Sequence, residues 1–148
     1  MSDTKVLNSD VAVIAAVIDP DLNTSGDVST GWVDMSVFSS IQAIVLAGDL
    51  GASATLDAKL EQATDSSGTG AKDITGKVIT QMVAGTDDNT QAVINCRSAE
   101  LDINSNFTHV RLTLSVATAS SDSAGLILGH NARYNAADPV STVAEVIS

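Results

Sequence analysis

Residues 54–62 read ATLDAKLEQ, and residues 107–119 read FTHVRLTLSVATA. In the first stretch Leu56, Ala58 and Leu60 fall on one side, and Thr55, Asp57, Lys59 and Glu61 on the other. In the second, Val110, Leu112, Leu114 and Val116 alternate with His109, Arg111, Thr113 and Ser115. A period of two marks strands with one dry face and one wet face, the pattern of antiparallel sheets.

The chain on either side reads the same way. Val11 to Ile18 is an apolar run, closed by DPDLNTSGD at 19–27, whose Asp, Asn, Gly and Pro content reads as a loop. Residues 31–35 suggest a short strand, and Ile41 to Ala47 a buried one that stops at Gly48 and turns at 49–51. Ser66 to Gly70 reads as a flexible tip. Val78 to Val83 reads as a strand before the turn GTDDN at 85–89. Gln91 to Arg97 places Ala92, Ile94 and Cys96 on one face, and Leu126 to Gly129 adds another segment. At 140–147 the helical spacing of Val140, Val143, Ala144 and Ile147 competes with a short strand. The sum is an all-β chain of about eight strands, an antiparallel β-sandwich with the jelly roll as the favoured topology. The expected organisation is a polar N-terminal arm at 1–10 that orders on a partner, then a single sandwich domain at 11–148.

Composition limits what such a domain does. Only Trp32, Tyr134, Phe38 and Phe107 are aromatic, so the 44% apolar content is mainly small aliphatic side chains. At 148 residues the chain suits one domain, burying about two thirds of its unfolded surface. Eighteen acidic residues against seven basic ones give a net charge of −11. Phosphate backbones need clustered Lys and Arg, so a nucleic-acid partner is disfavoured. Acidity keeps densely displayed proteins soluble, and a high-salt habitat would leave the same trace. Cys96 is the only cysteine and has no intrachain partner. MSDTKVLNSD lacks the regions of a signal peptide, and VAVIAAVI at 11–18 is too short to span a bilayer. The expectation is a chain made in the cytoplasm, with no membrane partner.

Candidate chemistry is sparse. Asp57 and Glu61, at i and i+4 on one strand, stand about 13 Å apart, beyond the ~5–9.5 Å of paired glycosidase carboxylates. Lys59 between them favours the ionised form of both. Asp19, Asp21, Asn23 and Asp27 have the oxygen density of a calcium loop. Thr24 stands where that pattern needs Gly and Thr30 where it needs Glu, so an acidic turn is the better reading. His109 and His130 come from different segments, with no G-x-S-x-G elbow to organise a nucleophile. Cys96 reads as a buried, inert thiol. Gly68 to Lys72 lacks phosphate-loop spacing. Trp32 is a candidate partner anchor. No catalytic residue and no cofactor are expected.

Four stretches carry a resemblance: FSSIQAIVLAGDLG at 38–51, TLDAKLEQATDSSGTGAKDITGK at 55–77, TDDNTQAVINC at 86–96 and HVRLTLSVATAS at 109–120. In this order they resemble small virion proteins encoded in the head gene clusters of tailed bacteriophages and gene transfer agents, in particular capsid decoration (cement) proteins. The resemblance covers residues 38–134 in general pattern and has no catalytic signature, so no functional residue is carried over by position. It implies a protein on the outer capsid surface, often a homotrimer, that clamps neighbouring major capsid subunits. Capsid-contact candidates are Thr4, Lys5, Val6, Leu7 and Asn8 in the arm, Trp32, and loop ends within 23–31. Another virion part, such as a head spike or tail component, and a carbohydrate-binding jelly-roll module remain the alternatives. Sugar platforms are aromatic, and one Trp and one Tyr supply few of them.

Overall fold

The computed structural model describes residues 6–134 and 137–148. Among them, a single helical turn, α1 (Asn8–Val11), precedes ten strand segments. These are β1 (Ala12–Asn23), β2 (Gly26–Ser29), β3 (Val33–Asp34), β4 (Phe38–Leu50), β5 (Thr55–Ala63), β6 (Lys72–Val78), β7 (Met82–Val83), β8 (Gln91–Arg97), β9 (His109–Ala117) and β10 (Ser121–Ala132). One sheet runs β1-β10-β4-β8, and the other runs β2-β9-β5-β6. All pairings are antiparallel.

β2 and β3 lie end to end along β9, and β6 and β7 lie end to end along β5. The ten segments therefore fill eight strand positions. Numbered in chain order, the sheets read 1-8-3-6 and 2-7-4-5. Position 1 pairs with 8, 2 with 7, 3 with 6 and 4 with 5, as in one long hairpin. Folding that hairpin over sets 8 beside 3 and 7 beside 4. This is the jelly roll.

The two inner faces form an aliphatic core. Leu56, Ala58 and Leu60 on β5 and Val110, Leu112, Leu114 and Val116 on β9 are buried, as their alternation predicts. Opposite them lie Val13, Ile18, Ile41, Val45, Ile94 and Ile127 from the other sheet. Each fully buried leucine or isoleucine contributes about 1.5–3 kcal/mol of transfer free energy. Among the described residues Phe38 is the aromatic side chain buried in this core, and Phe107 packs against it half-buried.

Several expected boundaries shift. The loop expected at 19–27 is mostly strand: β1 continues to Asn23 and β2 starts at Gly26. Asp21, Leu22 and Asn23 pair with Ser123, Asp122 and Ser121, and a register shift after Ile18 absorbs Asp19 and Pro20. Proline is tolerated there because β1 is an edge strand with a bulge. The strand expected at 41–47 runs through Gly48 to Leu50, and the turn falls later, where Ala54 N–H donates to Gly51 O. Instead of one strand at 78–83, β6 covers Lys72–Val78 and β7 only Met82–Val83. β6 is an edge strand that buries only Ile74, so its sequence carries little alternation. Residues 140–147 form neither helix nor strand; Val140 N–H donates to Ile14 O and ties the tail to β1. The last residues of the expected arm, 8–10, belong to the helical turn Asn8–Val11, and Leu7 N–H donates to the Asp10 carboxylate.

Candidate functional site

The wet face of β5 and β9 is a bonded polar layer. Glu61 accepts from Arg111 Nε at 3.2 Å and from the Thr113 hydroxyl, which also bonds Ser29 Oγ at 2.7 Å. Thr113 sits on the outer side yet is only 2% exposed, because these neighbours cover it. The Arg111 guanidinium stacks on the Trp32 ring, 4.5 Å from its centroid. Lys59 does not bridge Asp57 and Glu61; it reaches across to Asp73 at 2.7 Å. That bond raises the Lys59 pKa against the opposing effect of burial. Asp57 instead accepts from Gln81 Nε2 at 2.7 Å. The two carboxylates flanking Lys59 thus have separate partners, and the layer works as cross-strand glue.

The other candidates are dispersed. Asp19, Asp21 and Asn23 lie along β1 and Asp27 on β2. Asn23 Nδ2 donates to Ser123, and the Asp27 carboxylate accepts from Ser115 Oγ. A calcium loop wraps oxygens about one point, whereas an extended strand spreads them, so the acidic-loop geometry behind that reading is absent at 19–23. Among the described residues no cluster of three or more His, Cys, Asp or Glu side chains could share a metal ion. His109, on β9, bonds Thr108 Oγ1 through Nδ1 at 2.8 Å, while His130 sits on β10 in the opposite sheet. Cys96 is buried, and burial pushes its thiol pKa up to about 11.

Trp32 is half-buried between Arg111 and the 65–69 turn. A Cβ on Gly68 would lie 2.8 Å from Trp32 Nε1, and Gly68 has φ +82°. Only glycine fits both demands. The tip expected to be flexible is instead folded onto the tryptophan, with Asp65 accepting from the Ser67 and Thr69 amides. Thr4 and Lys5 lie outside the described residues. Val6 is 65% exposed, Leu7 precedes the helical turn, and Asn8 opens it.

Two open depressions flank the β1-β10-β4-β8 sheet. One of about 550 Å³ is lined by Trp32, Phe38, Tyr134 and Val140. The other, about 500 Å³, holds Gln42, Lys77, Arg97, Glu100 and His130. Lys77 Nζ lies 2.9 Å from Glu100, whose carboxyl is held below the ordinary range by the Arg97 amide and then by Lys77.

The feature that alternation alone did not reveal is the outer side of that sheet. Val17, Leu126, Ile44 and Val93 form one rung across all four strands, facing outward. Val93 is 51% and Leu46 40% exposed. The inward positions of β10 are Ser121, Ser123, Gly125, Ile127 and Gly129, mostly small, while its leucines point out. The available signal was that β1, β4 and β10 are apolar at both parities, which marks strands covered on both faces.

Fold and surface together define an antiparallel jelly-roll sandwich with one polar outer face and one aliphatic one. No protein-family model matches the chain, and no curated protein matches it in sequence. Among solved structures it is similar to a chain of the cryo-EM structure of Broad Bean Stain Virus, with TM-score 0.50, 9% identity and 100% of each chain covered. It is also similar to a chain of the Cowpea Mosaic Virus empty virus-like particle, with TM-score 0.47, 10% identity, and 99% of this chain and 93% of that chain covered. At such identities the likeness is one of fold.

Proposed function

We propose that this protein is a structural, non-catalytic component of a virus particle, a decoration protein that bridges major capsid subunits on the outer surface of an icosahedral phage head. The observation that carries this reading is the jelly-roll strand order, together with the likeness in fold to a Broad Bean Stain Virus chain over the full length of both. The resemblance of residues 38–134 to head-cluster proteins of tailed phages supplies the finer placement.

The physical properties support it. A rolled pair of sheets is stiff, and its broad faces offer many weak contacts, which repetition on a lattice turns into avidity. A charge of −11 suits an outward position better than one facing packaged DNA. The proposed capsid contacts are residues 4–8 and the 23–31 stretch, including the β1–β2 connection. Trp32 contributes through the edge it leaves exposed. On the head surface, as distinct from the isolated chain, a homotrimer is the assembly that the resemblance implies.

Cryo-EM of heads prepared with and without the chain tests the reading. Extra density over junctions between capsid subunits is the expected result. Indistinguishable heads, or density confined to the tail, would overturn it.

A further inference from the structure

The outward side of the β1-β10-β4-β8 sheet carries charge at its two ends and none between. Arg97 on β8 marks one end, beside the ion-paired Lys77 and Glu100, with the His130 ring on β10 next to it; Arg97 and His130 are both in register with Ser40 of β4. Asp19, Asp49 and Asp122 mark the other, all exposed, with Asp122 packed over Gly48. The apolar rung through Leu126 lies midway, with His130 four residues along β10 on one side and Asp122 four on the other.

This pattern is complementary to itself. A half-turn about an axis over Leu126, parallel to the sheet about 5 Å outside it and running across the strands, reverses strand direction. It lays apolar rung on apolar rung and the acidic end of one copy on the basic end of the other. A half-turn about an axis along the strands would set acid on acid. We propose that two copies of this chain pair face to face through this sheet, about a two-fold axis near Leu126.

An isologous interface requires one patch that fits its own image, and the charge order here has that property. Sheets stack in this way, about 10 Å apart with strands near-aligned. Four strands at ~4.8 Å and about eight residues at ~3.3 Å give about 500 Å² of face per copy. A total of about 1,000 Å² falls below the ~1,200–2,000 Å² of a standard stable complex, so the pair is weak and reversible. The pairing belongs to the isolated chain and does not depend on where the protein sits in a particle.

Sedimentation equilibrium of the full chain, from about 10 µM to about 1 mM, tests it in the range where weak interfaces associate. A monomer–dimer equilibrium is expected. Leu126→Lys should weaken it at least tenfold while leaving the circular dichroism and the melting midpoint unchanged. If that variant loses its fold, Ile44→Lys provides the same test. Arg97→Asp should weaken the dimer, and Arg97→Asp with Asp49→Arg should restore it, since the swap preserves only the crossed arrangement. A chain monomeric at the highest concentration, a trimer without dimer, Lys variants that pair normally, or a charge swap without rescue would each overturn the proposal.

Discussion

Glu61 bonds two side chains of β9, and one of them also stacks on the only tryptophan. Its side chain is 13% exposed and that of Arg111 29%, whereas Lys59 and Asp73 are 35% and 65% exposed. A double-mutant cycle on Glu61 and Arg111 should therefore give a coupling of about 1 kcal/mol, and one on Lys59 and Asp73 about 0.5 kcal/mol or less. Equal couplings in urea titrations would contradict this ranking. Cys96 supplies a pH test. Its folded pKa is raised, so the unfolded thiol ionises first as pH climbs. The stabilising preference for the neutral thiol is intact below about pH 9 and lost as pH rises toward 11. The loss amounts to about 3 kcal/mol, and Cys96→Ala should remove that part of the alkaline slope. Iodoacetamide should label the native thiol far more slowly than the unfolded one. The sequence placed Cys96 on an inward face, but the cross-strand partners of Glu61 and Lys59 depend on register, which single-strand alternation does not encode.

β10 shows how far an element can be read. Its leucines drew attention to 126–129, yet the strand spans Ser121–Ala132 and turns those leucines outward. The inner side is small because the opposite sheet and Phe38 fill the space. A Cβ on Gly129 would lie 2.4–2.5 Å from three Phe38 ring atoms. Gly129→Ala should destabilise the fold by about 1–3 kcal/mol, and Phe38→Leu in the same chain should recover part of that loss. Denaturant midpoints for the two variants decide it. β5 and β9 were legible because each has one polar face and one apolar face. The edge strand β6 and the extension of β1 through Pro20 were not, since backbone pairing with a neighbour, rather than side-chain pattern, holds them.

Across the whole molecule, nested pairing sets the kinetics. Ala12 pairs with His130, so the first and last strands close only after the chain between them has folded. Refolding should take milliseconds to seconds, followed by the fluorescence of Trp32; microsecond refolding would contradict the rolled-hairpin topology. Removing residues 1–10 should leave the core intact, because none of the helical turn's residues is buried, and should cost head binding if the terminus makes the proposed contact. Unchanged head binding would rule out that placement. The sequence by itself determined the all-β class, the aliphatic core, the inward faces of β5 and β9 and the acidic charge, because these follow from composition and a period of two along one strand. Only the tertiary structure decided which strands are neighbours, that ten segments fill eight positions, which side of β10 faces water, and that acidic, apolar and basic zones line up on one outer face. Those properties arise between segments far apart in the chain, and local residue order does not fix their register.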